Sequence, residues 1–182
     1  MKRILLFLIL IISNLALSQN KNLAVENFLI ESSQVIWQKT FETELSKEDI
    51  IDKIKTSGNF ENINISDYKL TAEIKELSID YKGYGESEMS TPMYLSRSFV
   101  KAFYIFEFKD KKYRVTVKNI KFVQKYDDGL SKANEVSEIE TYALAKKNAE
   151  FKNNFLKKPS EILNYTFLKV TEFKNQVESS KW

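Results

Sequence analysis

From Phe99 to Gln124 the chain reads as two long strands back to back. Val100, Ala102, Tyr104, Phe106 and Phe108 alternate with Lys101, Phe103, Ile105 and Glu107. A period of two belongs to an extended strand, not to a helix. Apolar groups fall in both phases, which places this strand in mid-sheet. Asp110-Lys111 offers a tight turn, and Tyr113 to Gln124 returns as the partner strand of a hairpin. A long central hairpin restricts the chain to folds built around one sheet.

The flanking segments complete that sheet. Val35 to Glu44 reads as a strand with Val35, Trp37 and Phe41 on one face. Ser46 is an N-cap with Asp49 three residues on, and Leu45 and Ile50 occupy the positions of a hydrophobic staple. A short helix over 46–57 follows, its stripe Ile50, Ile51 and Ile54, with Gly58 suited to a left-handed stop. Residues 59–66 and 69–82 read as strands. The second slips phase between Lys75 and Leu77, as a β-bulge would make it do. From Glu135 the spacing becomes helical through Ile139, Tyr142, Ala143, Phe151 and Phe155. Acids stand at the start, Lys157-Lys158 at the end, and Pro159 acts as the stop. Leu163, Phe167, Val170, Phe173 and Val177 predict a second helix over 161–178. The expected fold class is α+β. It has a single antiparallel sheet of about five strands in the order β-α-β-β-β-β-α-α, with the helices on one face.

Lys2-Arg3, the apolar run Ile4 to Ile12 and the small residues Ala16 and Ser18 compose an export signal cleaved after Ser18. The expected address is the bacterial periplasm or exterior, with no stable membrane anchor after cleavage. The chain has no cysteine, so the exported protein must be held by an apolar core and not by disulfides. The expected division is 1–18 signal peptide, 19–34 flexible lead-in with an apolar island at Phe28-Leu29-Ile30, 35–158 α+β domain, and 159–182 C-terminal helix packing on the same domain.

Three stretches resemble a family of unknown function found in small exported bacterial proteins. They are Val35-Ile36-Trp37-Gln38-Lys39 with its acidic-capped helix, Gly83-Tyr84-Gly85, and Phe108-Lys109-Asp110-Lys111-Lys112-Tyr113-Arg114-Val115. The resemblance spans about Val35 to Phe155. It implies a fold like that of the TATA-binding protein and no established activity. It does not imply DNA binding, because function lives in sites and not in folds.

The chain has no histidine and no cysteine. Ser-His-Asp and Cys-His machinery cannot be built, nor can a zinc site of those ligands. Gly83-Tyr84-Gly85 lacks the third glycine and the helix entry of a nucleotide-binding turn. No cofactor, metal or nucleic-acid partner is expected, and no enzyme. Glu86 with Glu88 and Asp127 with Asp128 are the carboxylate pairs that would serve a hydrolase, the third-ranked reading. The leading reading is an interaction module whose partner is an envelope protein, a surface polymer or a small ligand. The loop Gly83 to Arg97 carries Tyr84, Tyr94 and Arg97, residue types suited to recognition surfaces; the other reading is a disordered crossover whose Tyr94 and Leu95 only pack back on the sheet. Between Lys101 and Lys125 stand eight basic residues and two acids, and Lys111, Lys112 and Arg114 are the candidate contacts there. The alternative is a carrier of a small apolar ligand between the sheet and the C-terminal helices. Its lining would be Phe103, Tyr104, Phe106, Phe108, Phe151, Phe155, Phe167 and Phe173.

Overall fold

The computed structural model describes residues 23–129, 131–145 and 147–174. The expected leader, residues 1–18, and the end of the second predicted helix lie outside the described residues.

In chain order the strands and helices begin with β1 (Ala24–Val25), β2 (Phe28–Glu31), β3 (Gln34–Glu42) and helix α1 (Lys47–Thr56). Next come β4 (Glu61–Ile65), β5 (Lys69–Ser78) and two one-turn helices, α2 (Tyr81–Tyr84) and α3 (Met93–Ser96). The central hairpin is β6 (Ser98–Lys109) and β7 (Lys112–Gln124). The chain ends in β8 (Val136–Glu138), the short α4 (Ile139–Ala143), the small ribbon β9 (Leu144–Ala145) and β10 (Glu150–Phe151), and α5 (Lys158–Thr171). Eight strands make one sheet in the order β1-β2-β3-β7-β6-β5-β4, with β8 also on β7. All of its pairings are antiparallel.

The local signals explain the first half. Ser46 Oγ accepts from the Asp49 amide and the Asp49 carboxylate accepts from the Ser46 amide, each at 3.1 Å. The Ser46 hydroxyl, which donates to Asp49 Oδ2 at 2.7 Å, and next the Ser46 amide hold the Asp49 carboxyl below the usual range. Ile50, Ile51 and Ile54 bury the inner stripe of α1. The β5–β6 register shifts between Ile74 and Leu77, at the predicted bulge. A second irregularity falls in β7, where Asn119 has φ +53° and the pairing with β6 shifts between Lys101 and Phe103. Buried residues therefore run Tyr113, Val115, Val117 before it and Ile120, Phe122, Gln124 after it. The same kink ends pairing with β3 at Val117 and begins pairing with β8 at Lys121.

One face of the sheet carries the core. Trp37 and Tyr104 meet the Phe167 ring of α5 at 5.7 and 6.4 Å, and Phe60 beyond α1 meets Tyr104 and Phe106. Ring pairs of this kind add about 0.5–1.5 kcal/mol each beyond the area they bury. Asn164 Oδ1 on α5 accepts from Trp37 Nε1 at 2.8 Å and from Asn27 Nδ2 at 2.7 Å, and its Nδ2 donates to Glu26. A polar clamp thus joins α5 to the β1–β2 turn.

The sheet has more strands than the sequence pattern predicts. The lead-in supplies β1 and β2, where Phe28 lies opposite Trp37 and packs edge-on to Phe155. A short edge strand at the Phe28-Leu29-Ile30 island is within reach of the sequence pattern, and β2 lies there; the two-residue β1 is a pairing gain that so short a segment cannot announce alone. The helix expected from Glu135 to Lys158 does not form. Residues 136–138 are taken by the free edge of β7, and the Glu140 carboxylate accepts from the Val35 amide of β3 at 2.8 Å. Only the single turn of α4 remains helical there. Pro159 lies in the first turn of α5, where its missing N–H costs nothing, so it opens a helix instead of closing one.

Candidate functional site

The six residues singled out from sequence divide between the two ends of the β6–β7 hairpin. Lys111, Lys112 and Arg114 sit together at its tip, all exposed, and Lys111 holds φ +52° in the turn. Arg114 is not free. Its Nε and Nη2 both reach Glu107 Oε2 across the ladder, at 2.9 and 2.7 Å. A shallow cleft of about 190 Å³ opens beside it, lined by Thr40, Glu107, Lys109, Lys112, Tyr113 and Arg114.

Tyr84, Tyr94 and Arg97 lie at the other end and do not form one exposed cluster. Strand β7 alone separates the two ends by roughly 40 Å. Tyr84 lies against Tyr165 and donates to Glu161 Oε2 on α5 at 2.5 Å. That bond pushes its hydroxyl up to about 12. Tyr94 is half-buried, stacked on Tyr142 at 4.0 Å and edge-on to Phe122 at 5.3 Å. Burial, with Tyr142 beside it, raises its hydroxyl above the usual range. Arg97 Nη1 donates to Asp128 Oδ2 at 2.8 Å. Met89 is fully exposed, while Met93 on α3 is half exposed beside Tyr94.

The 83–97 loop is therefore folded onto the root of the hairpin. Asp80 caps α2 by accepting from the Gly83 amide and pairs with Lys169 of α5. Glu86 pairs with Lys158 of α5. Leu95 of α3 is wholly buried in the core. Against α3 stands the segment after β7. Asp128 accepts from the Arg97 guanidinium, from Gln124 Nε2 at 3.1 Å and from the Ser131 amide at 2.9 Å. Between the two segments lies a cleft of about 280 Å³, lined by Met93, Tyr94, Ser98, Gln124, Asp128, Ser131, Glu135, Ser137 and Tyr142.

Ser98 and Gln124 escaped the sequence reading, yet a signal exists. They face each other as the last rung of the hairpin, in the phase that elsewhere carries Val100 and Phe122. Polar residues in a core phase depart from the pattern, and such departures mark sites more often than errors. Asp128 could not be linked to Arg97 by pattern, because 31 residues separate them.

The other two readings find less in the structure. The rings expected to line a carrier's cavity are packed on one another: Phe151 stacks on Phe155, and Tyr104 and Phe106 meet with almost no exposure. Phe103 belongs to the opposite sheet face from Tyr104. Glu86 is held by Lys158 and Ser90 while Glu88 is exposed. Asp127 accepts from the Ala133 amide and Asp128 is turned to Arg97. Asp128 lines the hairpin-root cleft together with Glu135, but its charge is taken by Arg97 and Asp127 does not line that cleft; no group of three or more candidate metal ligands occurs among the described residues. Among the same residues no helix is long and apolar enough to cross a membrane.

The chain is similar in structure to a DUF4468 family protein from Bacteroides ovatus, at 16% identity and a TM-score of 0.43 over 84% of this chain and 86% of that one. It is also similar to a TBP-like protein from Parabacteroides distasonis, at 18% identity and a TM-score of 0.47 over 80% of this chain and 90% of that one. No protein-family model matches it, and no curated protein does. The two neighbours carry the names that the sequence resemblance brought up, a domain of unknown function and a TATA-binding-protein-like fold.

Proposed function

We propose that this protein is an exported, non-catalytic binding module of the cell envelope, and that it engages its partner through the root of the central hairpin. The observation that supports this reading is the cleft between α3 and the 126–137 segment. A loop with tyrosine, methionine and arginine is pinned to rigid strands, and its side chains border a concave surface instead of trailing into solvent. Pinning lowers the entropy lost on capture, which favours binding. Tyr84 and Arg97 act from behind, tying the loop down, while Met93 and Tyr94 offer contact surface. Lys111, Lys112 and Arg114 form a separate surface suited to an acidic partner, softened by the Arg114–Glu107 pair.

The test is photocrosslinking on intact envelopes. A benzophenone side chain replaces Met93 in one variant and Lys55, on the far side of α1, in another. A defined adduct is expected at position 93 and not at 55. Absence of an adduct at 93, or equal adducts at both positions, sinks the reading.

A further inference from the structure

We infer that the cleft at the hairpin root is a saccharide subsite for one neutral hexose ring, held by Ser98 and Gln124 against the paired rings of Tyr94 and Tyr142. This rests on the binding-module reading and names the chemistry of what that module takes.

Two polar atoms at the hairpin root have no protein partner among the described residues. Gln124 is only 9% exposed and Ser98 only 3%, and both line the cleft. The amide nitrogen of Gln124 donates to Asp128 Oδ2 and to the Tyr126 carbonyl, at 3.1 and 3.2 Å. Both partners are acceptors, so the amide cannot be turned the other way. Its Oε1 is left as an acceptor with no donor on it among the described residues, and the Ser98 hydroxyl is likewise without a partner there. Neither atom is among the fully buried unpartnered ones, which are Arg97 Nε and Tyr104 Oη among the described residues, so both can be reached from the cleft and a ligand there would take the place of water on them. Two such groups, paired across one rung and opening to one cleft, favour a ligand that both donates and accepts.

Charge narrows the class. No lysine or arginine lines the cleft, and the Arg97 charge is already met by Asp128 at 2.8 Å. Two carboxylates, Asp128 and Glu135, repel phosphate and sulfate. Asp128 is neutralised by Arg97, so Glu135 alone could favour a cation. A quaternary ammonium would use the tyrosine rings, but it carries no N–H to satisfy Gln124 Oε1. A purely apolar ligand would leave Ser98 and Gln124 unmet.

A hexose satisfies each condition. Its hydroxyls donate to Gln124 Oε1 and exchange bonds with Ser98, Ser131 and Ser137, while its apolar C–H face covers a tyrosine ring. The volume, about 280 Å³, lies at the low end of ligand sites, which run from about 300 to 1,000 Å³. It suits a single ring, the terminal unit of a longer glycan being one source and a free sugar the other.

The experiment is saturation-transfer NMR on the full chain with glucose, galactose, mannose and N-acetylglucosamine in turn. Tetramethylammonium and inorganic phosphate serve as competing probes. At least one hexose is expected to receive saturation, with shifts at the Gln124 side-chain amide and the Tyr142 ring. Gln124→Leu is expected to weaken that hexose about tenfold, and Ser98→Ala severalfold, because each removes a hydrogen bond from the bound state. Both variants put apolar side chains in an apolar phase, so both should fold. Lys112→Ala should bind like the parent. A reducing-end oligosaccharide binding more tightly than the free sugar points to a glycan terminus, and equal affinity to a free sugar. The inference falls if no hexose receives saturation, if both variants bind unchanged, or if tetramethylammonium or phosphate shifts the Gln124 amide in place of the sugars. Should the sugars fail while the adduct at position 93 persists, the saccharide assignment falls and the binding module stands. Failure of both removes both.

Discussion

The tip and the root of the β6–β7 hairpin share the same two strands and use them differently. At the tip Lys111, Lys112 and Arg114 are exposed, and the one that touches a neighbour, Arg114, is paired with Glu107 on the adjoining strand. Its charge is visible in the sequence and cheap in the structure, since exposed ion pairs contribute about 0–1 kcal/mol. At the root Ser98 and Gln124 are buried and Asp128 is half-buried, they come from both sides of the hairpin, and the polar groups there would be costly if left unmet. The difference teaches that burial, not the density of charge, separates a site from a solvated surface.

Substitutions can break or sharpen that contrast. The largest effect should come from the scaffold on which both ends depend. Trp37→Ala is expected to cost about 3–5 kcal/mol, because a wholly buried indole is lost and Asn164 loses a donor. Urea unfolding measures it, and a loss near zero would mean that the two ends are not joined by one core.

Asp128→Ala comes next, at about 1–3 kcal/mol, since it strands the Arg97 guanidinium and the Gln124 amide together. A change below 0.5 kcal/mol would place Asp128 on the same footing as the tip. Gln124→Leu is expected to cost about 0.5–1.5 kcal/mol, less than Asp128→Ala, because two donations, to Asp128 and to the Tyr126 carbonyl, are lost while an apolar side chain is gained in a core phase. No loss at all would show that those two bonds hold nothing together. Arg114→Ala should change stability by less than about 0.5 kcal/mol in the same assay.

Acid gives the finest comparison. The Asp80 carboxyl is held below its usual range by Lys169 and by the Gly83 amide. Its folded value lies below its unfolded value of about 4, so its stabilisation is complete above that pH and fades as pH falls through the folded value. Thermal melts of the parent should therefore lose ground on Asp80→Asn only below about pH 4. A constant gap between the two from pH 3 to 7 would contradict that assignment.

Much of the fold can be read in advance, for reasons that differ by segment. The capping box at Ser46 and the phase slip near Leu77 are local events, encoded within a few residues. The tip cluster is legible because Lys111, Lys112 and Arg114 are neighbours in the chain. The segment from 135 to 158 misleads because its acids and lysines imitate a helix's ends, while the open edge of β7 beyond Asn119 captures residues 136–138 instead. Tyr94 reads either as a recognition residue or as one that packs back on the sheet, and the sequence does not choose because nothing near it announces Tyr142 or Phe122.

By itself the amino-acid sequence determined the antiparallel character of the fold, the long central hairpin, the first helix and the lack of histidine and cysteine chemistry. Each of those follows from the period or type of adjacent residues. Tertiary structure alone decided the number of strands, the start of α5 at Lys158 and the meeting of Tyr94, Gln124 and Asp128 around one cleft. Those depend on contacts between residues far apart in the chain, where pairing and burial energies outweigh the local preferences that a pattern records.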